Sequence, residues 1–230
     1  MDLQGFGHLL ISGTWITIQL AIASLLVGLV FGLMGAAAKL SDNRIARWLA
    51  TGYTTLVRGL PELLLVLTIY FGGSQLLMWI AGWFGYDEYI EIGPFIAGVA
   101  ALSIAFGAYA TEVFRMAMQE IPKGQWEAGL ACGMSTPRTF FRIILPQVWR
   151  LAIPGLGNLF QVLLKDTALV SVVGLNDIMR QSQVAISSTK EPFTFFMVAA
   201  AIYLLLTAAT TSFTMLMERM SNPAARGDRS

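Results

Sequence analysis

The chain has 230 residues, of which 56% are hydrophobic and 13% charged, and its mean hydropathy is +0.65. Soluble domains carry about 25% charged residues, so this shortfall, together with long uncharged runs, places the chain among polytopic, all-α integral membrane proteins. A net charge of +1 by itself says nothing about nucleic acid, and its distribution matters more; no nucleic-acid partner is expected, the lone Cys132 excludes an internal disulfide, and the lone His8 excludes the commoner His-rich metal sites.

A membrane span needs about 20 apolar residues. Leu9–Ala38 is uncharged throughout and predicts the first span (9–38). The residues before it lack the Lys/Arg that open a cleavable signal peptide, so it is expected to stay in place. Ser24, Gly28, Gly32 and Ala36 recur along it at four-residue spacing. That stripe lets another helix approach closely in lipid, and packing within the chain is the plainest expectation for it.

Leu63–Tyr86 predicts the second span, extended backwards towards Trp48 (about 50–84). Pro61 frees the carbonyl of Val57 and weakens the helix locally. Glu62, beside that break, has two readings. It offers its carboxylate to a guanidinium or ammonium group, or it pairs with Arg58 at i, i+4.

Ile92–Thr111 predicts the third span (92–111), and Glu112 with Arg115 just beyond it reads as a local i, i+3 pair. Leu151–Leu175 is the fourth (151–175), interrupted by Lys165 and Asp166. Adjacent helical residues point about 100° apart, so each of the two charges needs its own partner or reaches an interface. Asn158, Gln161, Thr167 and Ser171 on the same helix are candidates to line a polar path with Asp166. Phe193–Met217 is the fifth span (193–217). One transmembrane domain, 1–220, is expected, followed by a polar tail, 221–230.

Lys and Arg cluster in alternate connections: Lys39, Arg44, Arg47 and Arg58 after span one, then Arg115, Lys123, Arg138, Arg142 and Arg150 after span three. The second connection has none and carries Asp87, Glu88 and Glu91. The positive-inside rule then puts the N-terminus outside and the C-terminus in the cytoplasm. The long interval of about 116–148 falls on the cytoplasmic side. Within it Pro122 opens a helix through Gln125–Cys132, and Gly133 ends it in the left-handed conformation. Thr136-Pro137 caps a second helix, which Pro146 is expected to break after Leu145. Such a hairpin either lies in the headgroup layer or docks a cytoplasmic partner.

The spacing Glu127-Ala128-Gly129, Gly133, Ile143, Leu145-Pro146 resembles the EAA signature of ABC importer membrane subunits, with glycine in place of the third motif position's alanine. In that family the hairpin is the coupling helix seated on an ATPase subunit. The resemblance extends to "LVRGLPELLLV" (56–66), "GAYATEVFR" (107–115) and "LLKDTALVSVVGLNDI" (163–178), and so spans the chain. It is greatest to the Q-type subunits of importers for histidine, lysine, arginine and ornithine.

Several expectations follow from that likeness. They are a type I ABC importer fold in a bacterial inner membrane, a second homologous permease subunit as partner, two ATP-binding subunits that hold the ATP and Mg, and a periplasmic solute-binding protein. This chain itself would hold no cofactor and no metal. Many relatives read Gly-Asn-Glu where this chain has Gly157-Asn158-Leu159, which would make it the weaker half of an asymmetric substrate site. The competing classes are an ion-coupled secondary transporter using Glu62 and Lys165–Asp166 as a relay, and an intramembrane enzyme. No nucleophile–base set or phosphate-cradling loop supports the latter, nor an ATPase site on this chain.

Overall fold

The computed structural model describes residues 5–85 and 91–221; Asp87, Glu88, Arg226, Arg229 and the tail from 222 lie outside them. The described residues form helices and no strand: α1 (Gly7–Leu40), α2 (Arg44–Arg58), α3 (Glu62–Gly82), α4 (Pro94–Gln119), α5 (Lys123–Ala131), α6 (Thr136–Val173), α7 (Ile178–Thr189) and α8 (Pro192–Ser221). Five of these, α1, α3, α4, α6 and α8, are long and apolar enough to cross a membrane. Each overlaps one of the five expected spans, although the third runs on to Gln119, past the expected end at Thr111, and the fourth begins at Thr136 rather than at Leu151.

Other boundaries differ from the sequence reading as well. The second span is two helices rather than one, because the chain leaves helical geometry between Arg58 and Glu62, where Pro61 takes an extended backbone conformation. A proline also disfavours helix in the residue before it. The second correction is at Pro146, which does not end a helix. Residues Phe140–Ile144 form a π-helical turn, in which the Leu145 N–H bonds back to the Phe140 carbonyl. That widened turn shifts the hydrogen-bond register just where Pro146 supplies no N–H. Helix α6 therefore runs on unbroken to Asp166 and closes with a tighter 3₁₀ segment, Thr167–Val173. Its start is also one residue off, since Ser135, not Thr136, occupies the N-cap position.

The core is the seam between α1 and α4. A Cβ added to Gly28 would lie 2.7 Å from Phe106 Cδ1, one on Gly32 would lie 2.7 Å from Ala110 Cβ, and one on Gly35 would lie 2.2 Å from Thr111 Oγ1. Ser24 and Ala36 complete the stripe, both fully buried. The small-residue pattern thus serves packing within the chain, where close van der Waals contact replaces the hydrophobic drive that lipid cannot supply. The Ser103 hydroxyl donates to the Ser24 carbonyl at 3.2 Å across the same seam. At one end of this seam Lys39 of α1 pairs with Glu112 of α4. Glu112 also accepts from Arg115 Nε at 2.9 Å, so the expected local pair exists with a third member from another helix.

Helix α6 packs on α4 through Phe114 and Trp149, edge to face at 5.4 Å, and through Gly155 against Val113. At the end of the bundle remote from α5, α7 starts at Asp177. The Asp177 Oδ1 caps the helix by accepting from the Arg180 N–H at 2.9 Å. This carboxyl is fully buried, its Oδ2 has no partner, and burial pushes it up to about 6.

Candidate functional site

Two places in the molecule bring functional side chains together. The first is a narrow cleft between α3, α4 and α6, lined by Glu62, Phe106, Tyr109, Leu159, Leu163 and Asp166 among others. Its internal space is about 20 Å³, room for one water molecule. The cleft as it stands encloses no larger solute. The break before α3 makes Glu62 its first-turn residue, where the helix dipole favours a carboxylate. Asp166 approaches from the last turn of the α-helical part of α6. Neither carboxylate has an Arg or Lys nitrogen within 4 Å among the described residues.

The expected Arg58–Glu62 pair is absent. The i, i+4 rule presumes a continuous helix, and Gly59–Pro61 interrupt it. Arg58 instead lies over the ring of Tyr109, with its guanidinium carbon 5.3 Å from the centroid. The Tyr109 hydroxyl donates to Glu62 Oε1 at 3.4 Å. Tyr109 was not singled out in the sequence; the available signal was a polar-tipped aromatic amid the apolar residues of the third span.

The other candidates on α6 are placed elsewhere. Thr167 is buried and donates to the Leu164 carbonyl at 2.7 Å, and Ser171 donates to the Ala168 carbonyl at 2.7 Å. Both hydroxyls therefore satisfy the backbone of their own helix. Asn158 is exposed and Gln161 half-buried, and neither lines this cleft.

The second place is the hairpin of α5 and the start of α6. Helix α5 ends in the motif that a left-handed glycine permits. Gly133 has φ +77°, its N–H donates to the Leu130 carbonyl at 2.9 Å, and the Met134 N–H donates to the Gly129 carbonyl at 3.1 Å. The two arms close on three contacts. Gly129 lies against Thr139, Trp126 stacks on Phe140 at 6.2 Å, and Gln147 Nε2 donates to Gln125 Oε1 at 3.3 Å. The motif residues divide by role: Gly129 and Gly133 shape the turn, while Ile143 is half-buried and packs against the main core. Leu145 is also half-buried, in the first turn after the π segment, and Pro146 follows it, exposed. Glu127 and Ala128 stay exposed beside Leu130, Phe141, Arg138 and Arg142, an apolar and basic tip left uncovered among the described residues. Cys132, the lone cysteine, is exposed at the C-cap.

Residues 26–222 match the family model described as binding-protein-dependent transport system inner membrane component. The chain is 45% identical over 223 residues to the nopaline transport system permease protein NocQ of Agrobacterium fabrum, covering 96% of this chain and 94% of that one. It is 43% identical to the histidine/lysine/arginine/ornithine transport system permease protein HisQ of Salmonella typhimurium, covering 94% and 95%. It is 41% identical to the arginine ABC transporter permease protein ArtQ of Escherichia coli, covering 96% of each. Among solved structures, an amino acid ABC transporter crystallised with histidines superposes with a TM-score of 0.80 at 33% identity, covering 96% and 99%. The methionine transporter MetNI in an inward-facing form superposes at 0.77 with 18% identity, a likeness of fold alone.

Proposed function

The chain belongs to the family of binding-protein-dependent transport system inner membrane components, and from that membership we propose that it forms half of the membrane path of an ATP-driven importer of cationic amino acids. It is a multi-pass membrane permease with five candidate spans. Its assembly then comprises a second, homologous permease subunit, two ATP-binding subunits that hold ATP and Mg, and a solute-binding protein on the periplasmic side of a bacterial inner membrane. The distribution of Lys and Arg supports an outside N-terminus and a cytoplasmic hairpin tip. The exposed apolar and basic surface of that tip is the part that an ATPase subunit grips.

One observation carries the choice of substrate. Two carboxylates from different spans, Glu62 and Asp166, line one cleft, and neither has an Arg or Lys nitrogen within 4 Å among the described residues. An incoming guanidinium or ammonium group supplies the cation that both lack. The cleft is too small for an amino acid by itself, and a second permease subunit supplies the opposite wall.

The test is equilibrium binding of L-arginine and L-glutamine to the purified assembly of membrane and ATPase subunits without the binding protein. Glu62→Gln and Asp166→Asn are each expected to raise the Kd for arginine at least about tenfold, the loss of about 1.4 kcal/mol. Glutamine binding should change by less than about twofold. Equal losses for both amino acids, or none, would refute the cationic assignment.

A further inference from the structure

A guanidinium of the protein's own stands beside the cleft, over the ring of Tyr109, which is one of the cleft's lining residues. Arg58 is the last residue of α2, and its side chain is exposed to the space over Tyr109. A cation over an aromatic face within about 6 Å of the centroid is attracted by the ring quadrupole. Beyond that ring, Arg58 has no carboxylate within 4 Å among the described residues. The same ring carries the hydroxyl that donates to Glu62. Ring face and carboxylate are therefore adjacent, which is the pair of features a guanidinium ligand selects.

Resting on the reading of this cleft as a cation site, we propose that Arg58 is an internal stand-in for the substrate, covering the Tyr109 face until an incoming cation displaces it. The backbone permits the exchange. Gly59 and the extended Pro61 separate Arg58 from α3, so the Arg58 side chain can swing away without moving Glu62. Its position at the C-terminus of α2 favours positive charge and gives the displaced guanidinium a resting place near the last carbonyls of that helix. Empty, the site keeps its aromatic face covered; loaded, it exchanges one cation for another with little net change in charge. Arg58 thus sets affinity and selectivity by competition, acting as a positioning residue rather than as a ligand.

The experiment titrates the purified assembly of membrane and ATPase subunits with L-arginine, L-lysine and L-glutamine, for the wild type, Arg58→Gln, Arg58→Lys and Glu62→Gln. Removing the competitor in Arg58→Gln should lower the Kd for arginine and lysine about two- to fivefold, the worth of an exposed cation–π contact, and leave glutamine unchanged. Arg58→Lys keeps the charge but stacks less well, so its Kd values should fall between those of the wild type and Arg58→Gln. An unchanged Kd in Arg58→Gln overturns the proposal. A raised Kd for all three amino acids overturns it too, by making Arg58 a ligand for the common carboxylate or a prop for the fold. If Glu62→Gln leaves arginine binding intact, the cation-site reading itself falls; if Glu62→Gln weakens it while Arg58→Gln does nothing, only the stand-in role falls.

Discussion

Restoring the family's alanine at the third position of the hairpin motif, Gly129→Ala, is expected to damage this protein. The new methyl would lie 2.5 Å from Thr139 Cγ2 and 2.9 Å from Thr139 Oγ1. Those distances are well inside van der Waals contact, and Thr139 is fully buried, with a β-branched side chain that has few alternative rotamers. Overpacking of this kind costs about 1–3 kcal/mol. The strain falls on the contact that holds α5 against α6, so opening the hairpin is the cheapest relief. Since 1.4 kcal/mol is a factor of ten, the apparent affinity for the ATPase subunit should drop by up to about 100-fold. The assay is the Kd of the purified ATPase subunit for the membrane subunits in nanodiscs, with thermal unfolding as the check on the fold. A second substitution decides the mechanism. Thr139→Ala removes both clashing atoms, so the double variant Gly129→Ala/Thr139→Ala should recover most of the lost affinity, a favourable coupling where independent effects would simply add. A harmless Gly129→Ala, or a double variant as weak as the single, would refute the steric reasoning.

Three further outcomes follow from the same structure. Thr139→Val replaces a buried hydroxyl that has no hydrogen-bond partner, so thermal unfolding in detergent should be unchanged or raised by the worth of about 1 kcal/mol. The Asp177 carboxyl titrates near 6 when folded against an ordinary 3.8, so the folded chain binds the extra proton between those values. Stability therefore falls as pH rises from about 4 to about 6, by on the order of 3 kcal/mol across the window. Asp177→Asn keeps the cap acceptor and should flatten that part of the unfolding profile. In the Lys39–Glu112–Arg115 group, Glu112→Ala leaves a largely buried ammonium uncompensated, and it should lower the unfolding midpoint more than the double change Lys39→Met/Glu112→Leu does.

What could be read from the residues follows the reach of each rule. Hydropathy located all five spans because it integrates over about 20 residues, and the small-residue stripe of α1 named its own face by helical spacing alone. Gly133 was recognisable as a left-handed stop because only its own backbone had to be judged. The misreadings occurred where one local rule met another. Spacing paired Arg58 with Glu62 across a break that Pro61 had already announced. Pro146 read as a terminator because a π turn that re-registers the hydrogen bonds has no side-chain signature. Thr167 and Ser171 looked available to a path because composition does not say whether a hydroxyl is bonded to its own helix. Tyr109 is a tertiary matter: nothing near it in sequence tells that Arg58 and Glu62 arrive on either side.

The close fit of α1 on α4 bears on how work is transmitted. With no space for even a methyl group at Gly28, Gly32 or Gly35, the two helices neither slide nor rotate past each other without clash, and they travel as one beam. Tyr109 rides on that beam, whereas Glu62 follows the break at Pro61 and Asp166 stands on α6 at the change from α-helix to 3₁₀ geometry. On the proposed coupling, a push delivered at the hairpin is expected to move α1 and α4 together, so that any change in the cleft falls on Glu62 and Asp166 rather than within the α1–α4 seam.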